Sequence, residues 1–497
     1  MFRIALDGSL TMVHDQFLFV IVESPTWLLY VTLLLTAIFF RFSRLLTVRN
    51  LDLVLLLLLS TALVVSASSK RDDLANAGSV SQEVQGATDD GDESEPMVLG
   101  ALNRFSSFIV LALSVLLIVR LTFDEFLTRR PRLEQNLNQA GLTFLFFPAF
   151  TILMTGVFLK EPPVRNIDSV KSGVALLQGQ ESSDVTAAGD QAIPPATETI
   201  IAAGAAKVAE LSGQVNPEKE IDVFGRTSMD EMIARILVVV AHTTVILGLM
   251  YIGRKHFCSA QLGISMSCLY LLLPCTAFNV HQLSHVVPGA CLTWAFAMYR
   301  KPAVAGVLLG LACGTLFFAV FLLPLWAVFY GRKGSLRFGL SLGAVAAVVL
   351  MTFAMTSATT DSFVHKLVMT ANWTAYRLFD AATPMSESAI GHVFLRIILA
   401  ALFFVMFVAM TVIPRKRNLE NLLANSTALI VAAQLWYPED VGSYVLWYLP
   451  LLMLVMFRPR LDRFVPPEAD DSHTAQRPSD QKAQHGAGAM SRVTLYS

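Results

Sequence analysis

The chain has 497 residues, 54% of them hydrophobic and 15% charged, with mean hydropathy +0.57 and a formal net charge of −1. A soluble globular protein carries about 25% charged residues. This composition, with its many nearly charge-free runs, excludes an ordinary soluble domain and points to an all-α, polytopic integral membrane protein whose first partner is the lipid bilayer.

The first span is Pro25–Phe40, which leads into the basic loop of Arg41, Arg44 and Arg49. The first 24 residues mix Asp, His and Glu into their apolar positions, so no cleavable signal peptide is expected. The second span is Leu51–Ser66, with Asp52 at its basic end, where it is expected to reach water. Ala67–Asn103 follows, rich in small residues and acids that include Asp72 and Asp73, and reads as a disordered loop. The third span, Phe105–Leu121, exits to Arg129, Arg130 and Arg132, and Phe123, Phe126 and Leu127 suit a short interfacial helix. The fourth is Gly141–Leu159. Lys160–Asp230 is poor in aromatics and rich in Ala, Ser, Thr and Gly; it reads as mostly disordered, with a helix around Glu198–Leu211. Neither Leu74–Glu95 nor Ser172–Thr197 is expected to carry a catalytic group.

Met232–Ile252, Ala260–Phe278 and Val286–Met298 are the next spans. Ala303–Tyr330 is different, because basic turns flank both ends: Arg300-Lys301 before it and Arg332-Lys333 after it. As one helix it would run about 42 Å, against a hydrocarbon core of about 30 Å. The spacing predicts a hairpin that enters and leaves on the cytoplasmic side and breaks near Cys313-Gly314-Thr315; one long tilted helix is the other reading. Gly306, Gly310 and Gly314, at every fourth position, permit close helix packing. Leu336–Ser357, Val393–Ile413, Leu419–Leu435 and Tyr444–Phe457 complete the spans, and residues 464–497 form a polar tail.

Because Lys and Arg mark the cytoplasmic side, these turns give about eleven transmembrane helices plus the hairpin, with the N-terminus outside and the C-terminus inside. The chain divides into N-terminal helices (1–66), an acidic loop (67–104), a helix pair (105–159), a low-complexity loop (160–231), a helical core (232–463) and the tail.

His281 and His285 lie four apart, on one face of a helix. Gln282 stands where a zinc-binding HExxH motif has Glu, and ligand-like Cys or His neighbours are missing nearby in the sequence, so no metal site is expected. The five cysteines form no CxxC pair and read as buried thiols. A polar rim of His281, Gln282 and His285 is expected to face the same compartment as Trp373, Tyr376, Arg377, Trp436, Glu439 and Asp440. The aromatic residues would offer flat faces to a sugar or lipid, and Arg377 a fork for phosphate; an aromatic belt anchoring helix ends is the bland alternative. No nucleotide loop or nucleophile elbow occurs, and no cofactor or nucleic-acid partner is expected.

Arg300-Lys301-Pro302, Ala305-Gly306, Gly310-Leu311-Ala312 and Leu322-Leu323-Pro324 form the pattern RKPxxAGxxxGLA…LLP. With Asn279-Val280-His281-Gln282 and Trp447-Tyr448-Leu449-Pro450, it resembles bacterial GT-C glycosyltransferases of the mannosyltransferase type over roughly residues 235–460. The resemblance implies a GT-C-like fold in the bacterial inner membrane, and transfer of a sugar from a polyprenyl phosphate to an extracytoplasmic acceptor. It also implies a catalytic carboxylate in the first large outer loop, for which Asp72 and Asp73 are the candidates. The chain departs from the pattern at Leu316, where the family commonly has Lys; Arg377 or Lys366 would replace that cation. An O-antigen polymerase or ligase, or a non-catalytic transporter or scaffold, remains the alternative.

Single cysteines at Ser335, Ser362 and Ser443, in a cysteine-free background, test the hairpin. On intact cells a membrane-impermeant thiol reagent should label positions 362 and 443 and spare 335. The reverse pattern would mean a single crossing.

Overall fold

Helix follows helix along the chain, and no strand occurs among the described residues. The computed structural model describes residues 25–43, 45–83, 94–127, 135–179, 194–211, 228–315, 317–357, 360, 362–364, 367, 389–413, 417–436, 444–459, 461 and 464–467. They form α1 (Pro25–Phe39), α2 (Val48–Glu83), α3 (Ser94–Thr122), α4 (Gln139–Leu159), α5 (Val164–Gln178), α6 (Ala196–Leu211), α7 (Met229–Lys255) and α8 (Ala260–Leu272). Then come α9 (Pro274–Phe278), α10 (Leu283–Ala297), α11 (Pro302–Cys313), α12 (Leu323–Met355), α13 (Ala389–Val412), α14 (Leu419–Trp436) and α15 (Val445–Phe457).

Four stretches are long and apolar enough to cross a membrane: Val48–Ser68, Gln139–Leu159, Met229–Lys255 and Phe318–Met355. Shorter apolar helices accompany them. Large apolar side chains such as Tyr30, Phe144, Leu340 and Val405 stay exposed on the outer faces, as a bilayer would require. The chain thus has the all-helical build of an integral membrane protein.

Local chemistry sets the helix ends. Ser228 caps α7, its Oγ accepting from Glu231 N at 3.3 Å. Asp230 and Glu231 in the first turn, and Arg254 and Lys255 in the last, complement the helix dipole. Asn138 caps α4 through Gly141 N at 2.8 Å. The second half of the expected Ala260–Phe278 span breaks at Leu273, where Pro274 begins α9.

The chain reverses between α11 and α12. α11 ends at Cys313, Gly314 and Thr315 turn, and a 3-10 helix follows at Phe317–Leu322. Phe318 lies against Tyr444 and Trp447, Trp326 against Phe296, and the Tyr330 hydroxyl donates to Tyr299 O at 2.8 Å. This descending limb therefore runs parallel to α10. At Gly331 (φ 69°, ψ −172°) α12 is interrupted, in a conformation that glycine adopts at little cost. Residues 332–355 are thus a separate limb, and Phe318–Met355 is not one continuous span.

That last limb packs on the glycine face of α11. A Cβ on Gly306 would meet Phe338 O at 2.5 Å and the Ser341 hydroxyl, and one on Gly310 would meet Val345 Cβ at 3.0 Å. One on Gly314 would meet Val349 Cγ2 at 3.4 Å. Both partner numbers rise together, so the two helices run parallel. Parallel neighbours this close in sequence need a return limb between them, which residues 317–330 supply.

At the end where Tyr299 and Tyr330 lie, charges gather in the core. Arg120 engages Asp52 through Nε and through Nη2 at 2.7 Å, and Asp124 through Nη1 at 2.6 Å. Arg458 joins Asp124 to Glu420. Asp52 is 1% exposed, which corrects the expectation that it reaches water. It is buried because α3 supplies a fork-shaped cation for both of its oxygens. A short 3-10 helix does form at Asp124–Phe126, with Phe123 before it and Phe126 at its end exposed, but Asp124 is buried.

Gly306→Ala should destabilise the fold by about 1–3 kcal/mol, the usual cost of overpacking. Gly339→Ala and Gly343→Ala, where an added methyl meets nothing within 4 Å, should not. Thermal unfolding of the three detergent-solubilised variants checks this; equal midpoints would mean that the glycine face is not a close contact.

Candidate functional site

The stretch read as mostly disordered, Lys160–Asp230, contains two packed helices, α5 and α6. The helix expected around Glu198–Leu211 is α6; α5 was not expected. α5 ends at Gly179, which is left-handed (φ 63°). The pair packs closely because its contact residues are small: a Cβ on Gly173 would meet Ala203 N at 2.6 Å. The low-complexity composition that suggested disorder is here a packing surface. Ser172, Gly173 and Thr197 are buried, so the segment between Ser172 and Thr197 is anchored in the core at both ends.

The α5–α6 pair caps the end of the bundle opposite the charge cluster. Thr197 N donates to Gly314 O at 3.2 Å, and its Oγ1 donates to Leu311 O at 2.8 Å. The tip of the reversed segment thus holds the start of α6. Asn166 Nδ2, on α5, donates to His281 O at 2.6 Å. The next residue after Thr197 is Glu198, wholly buried. Ser169 Oγ donates to its Oε2 at 3.1 Å, while Oε1 is buried and without a hydrogen-bond partner.

Arg165, His285, Tyr444 and Trp447 complete the cluster. Arg165 acts electrostatically on both Glu198 and His285, so its guanidinium lies near both. Its Nε is buried and makes no hydrogen bond. His285, at 6% exposure, stacks obliquely on Tyr444 with ring centroids 4.8 Å apart, and its Nδ1 is also unbonded. Trp447 Nε1 donates to Ser284 O at 3.3 Å and holds α15 against this corner.

Of the expected rim residues, His281 and Gln282 are half-buried in the turn before α10, and His285 is buried in its first turn. Trp436 is adjacent but buried among Phe321, Phe403 and Phe404. Trp373, Tyr376, Arg377, Lys366, Glu439 and Asp440 lie outside the described residues, as does Leu316. Asp72 and Asp73 belong to α2, which extends well past the expected end of its span, and their side chains are outside the description. Among the described residues no three His, Cys, Asp or Glu side chains gather as a metal site.

Glu198, Arg165, Asn166 and Ser169 escaped the sequence reading. The available signal was a lone acid opening an Ala- and Thr-rich helix, with Arg165-Asn166 and Ser169 one turn apart on another.

Burial pushes the Glu198 carboxyl up to about 7, against the smaller opposing pull of Arg165 and Ser169. It can therefore exchange a proton near neutral pH. With Arg165 beside it, the corner offers a base and a fork-shaped donor for an oxyanion or phosphate. No family model matches the chain, and no curated protein or solved structure does.

Unfolding returns Glu198 to the ordinary value of 4.5. Between pH 4.5 and about 7 the folded protein holds a proton that the unfolded chain has lost, so stability falls as pH rises through that window and levels off above it. The contribution is at most about 3 kcal/mol. Glu198→Gln cannot ionise and should gain on the wild type by up to that amount from about pH 5 to about pH 7.5. Thermal midpoints at the two pH values check this; parallel changes in both proteins would mean that Glu198 titrates like an exposed acid.

Proposed function

We propose that the chain is a GT-C-type glycosyltransferase of the bacterial inner membrane, with about eleven spans, that moves a sugar from a polyprenyl phosphate to an extracytoplasmic acceptor. One observation carries the reading. Glu198 Oε1, Arg165 Nε and His285 Nδ1, each buried and without a hydrogen-bond partner, belong to one corner at the end of the bundle opposite the basic turns, where Arg165 acts through space on both of the others. Buried polar groups are seldom left unpaired, and those that are call for a missing partner. A sugar phosphate and an acceptor hydroxyl supply the acceptors and the proton that this set lacks.

In this reading the acceptor oxygen attacks the anomeric carbon, and the bond from that carbon to the phosphate oxygen breaks. Glu198 takes the acceptor's proton, and the lipid phosphate leaves with the bonding electrons. Arg165 steadies the leaving phosphate, in the role the family gives to the cation absent at Leu316. Glu198 thus does the work for which Asp72 and Asp73 were the candidates, and His281, Gln282 and His285 line the entrance.

Purified protein in lipid nanodiscs, given radiolabelled polyprenyl-phosphate mannose and a panel of hydroxyl acceptors, tests this. Glu198→Gln should lower turnover by about 10²- to 10⁴-fold with donor binding retained, and Arg165→Gln should weaken donor binding. Full activity in Glu198→Gln with loss in Asp72→Asn or Asp73→Asn would return the base to α2. Neither transfer nor binding with any polyprenyl-phosphate sugar would discard the enzyme reading in favour of a transporter or scaffold.

A further inference from the structure

A cavity of about 180 Å³ opens between the end of α13, the start of α14 and the descending limb of the reversed segment. It lies toward the end that carries the buried charges, since Glu420 on the same turn of α14 pairs with Arg458. Its composition is two-sided. Asn418, just before α14, and Asn421 and Asn425 within it line the cavity, at a three- and four-residue spacing. Val328 and Val412 line it from the other side and are exposed at 42% and 70%, on surfaces that a bilayer would cover. Arg417 stands at its lip, exposed and with no ion pair among the described residues.

Asn418 caps α14, its Oδ1 accepting from Asn421 N at 2.9 Å, and amide groups at such a helix end can also donate to a ligand's oxygens. A cation beside them, with an apolar wall that opens sideways, is complementary to one kind of molecule. We propose that this cavity holds the headgroup of an anionic, phosphate-bearing membrane lipid. Arg417 takes the phosphate, the asparagine amides take the ester and glycerol oxygens, and Val328 and Val412 meet the first carbons of the acyl chains. Basic pockets between membrane helices on the side of the basic turns commonly bind such headgroups. The site is remote from Glu198 and does not depend on the sugar-transfer reading.

The test uses the full-length protein, stripped of lipid in detergent and titrated with phosphatidylglycerol or phosphatidylcholine, with bound lipid counted by native mass spectrometry. Phosphatidylglycerol should be retained in preference, and Arg417→Gln should weaken its retention roughly five- to tenfold, the worth of one basic residue beside an anionic headgroup. Arg417 is exposed, so this variant should fold; an unchanged thermal midpoint without lipid verifies that. Equal retention of the two lipids, or unchanged retention in Arg417→Gln, would overturn the proposal. So would displacement of phosphatidylglycerol by inorganic phosphate at equal concentration, which would make this a site for free phosphate.

Discussion

The glycine face of α11 is the constraint on which the rest of the fold depends. Gly306 and Gly310 let the last limb of α12 approach α11 backbone to backbone, in parallel. Two parallel helices joined by so short a stretch require a return limb, so the chain must double back at Gly314-Thr315 and again at Gly331. The first reversal exposes the carbonyls of Leu311 and Gly314 at the end of α11. Thr197 uses both. The position of Glu198 therefore follows from a packing contact more than a hundred residues away in sequence.

The two ends of the bundle treat buried charge in opposite ways. At one, Asp52, Arg120, Asp124, Arg458 and Glu420 form an alternating chain in which each charge meets its opposite. Removing one member would strand another, at about 3–5 kcal/mol, so this chain locks α2, α3, α14 and α15 together without adding much net stability. At the other end Glu198 has a single hydroxyl donor, and its second oxygen has none. Asp52, Arg120, Asp124 and Arg458 are buried and Glu420 is half-buried, and each is ion-paired, whereas Glu198 is buried with no ion pair among the described residues. Sites that break the local rules are where function is to be sought.

Much of the helical plan was legible because it rests on two sequence signals of long range: apolar runs and basic turns. The position of the break at Gly314 was legible too, since the stretch is too long for one crossing and its centre is small. What could not be read depended on pairing between distant segments. Asp52 reads as interfacial until Arg120 is known to lie beside it. α5 reads as a linker because Ala, Ser and Gly signal disorder by composition, although the same residues allow helices to approach closely when a surface, here that of α6, is there to receive them. Glu198 had no local motif to mark it, for its character comes from burial beneath α5 and not from its neighbours in sequence.

The manner in which Arg165 and Glu198 approach each other bears on the proposed chemistry. A direct ion pair would hold the carboxylate ionised well below neutral pH, and would occupy the oxygen that must accept a proton. Complete separation would leave nothing to steady a departing phosphate. Here burial dominates and Arg165 acts only through space, so the carboxyl sits near 7 with Oε1 open. A phosphate entering between the two would meet the guanidinium first. Its negative charge, set beside Glu198, would raise the affinity of that carboxylate for a proton further. Proton transfer to an ionised Glu198 would be more favourable with the donor bound, while the ionised fraction at a given pH would be smaller, so the proposed step calls for a pH above the raised value.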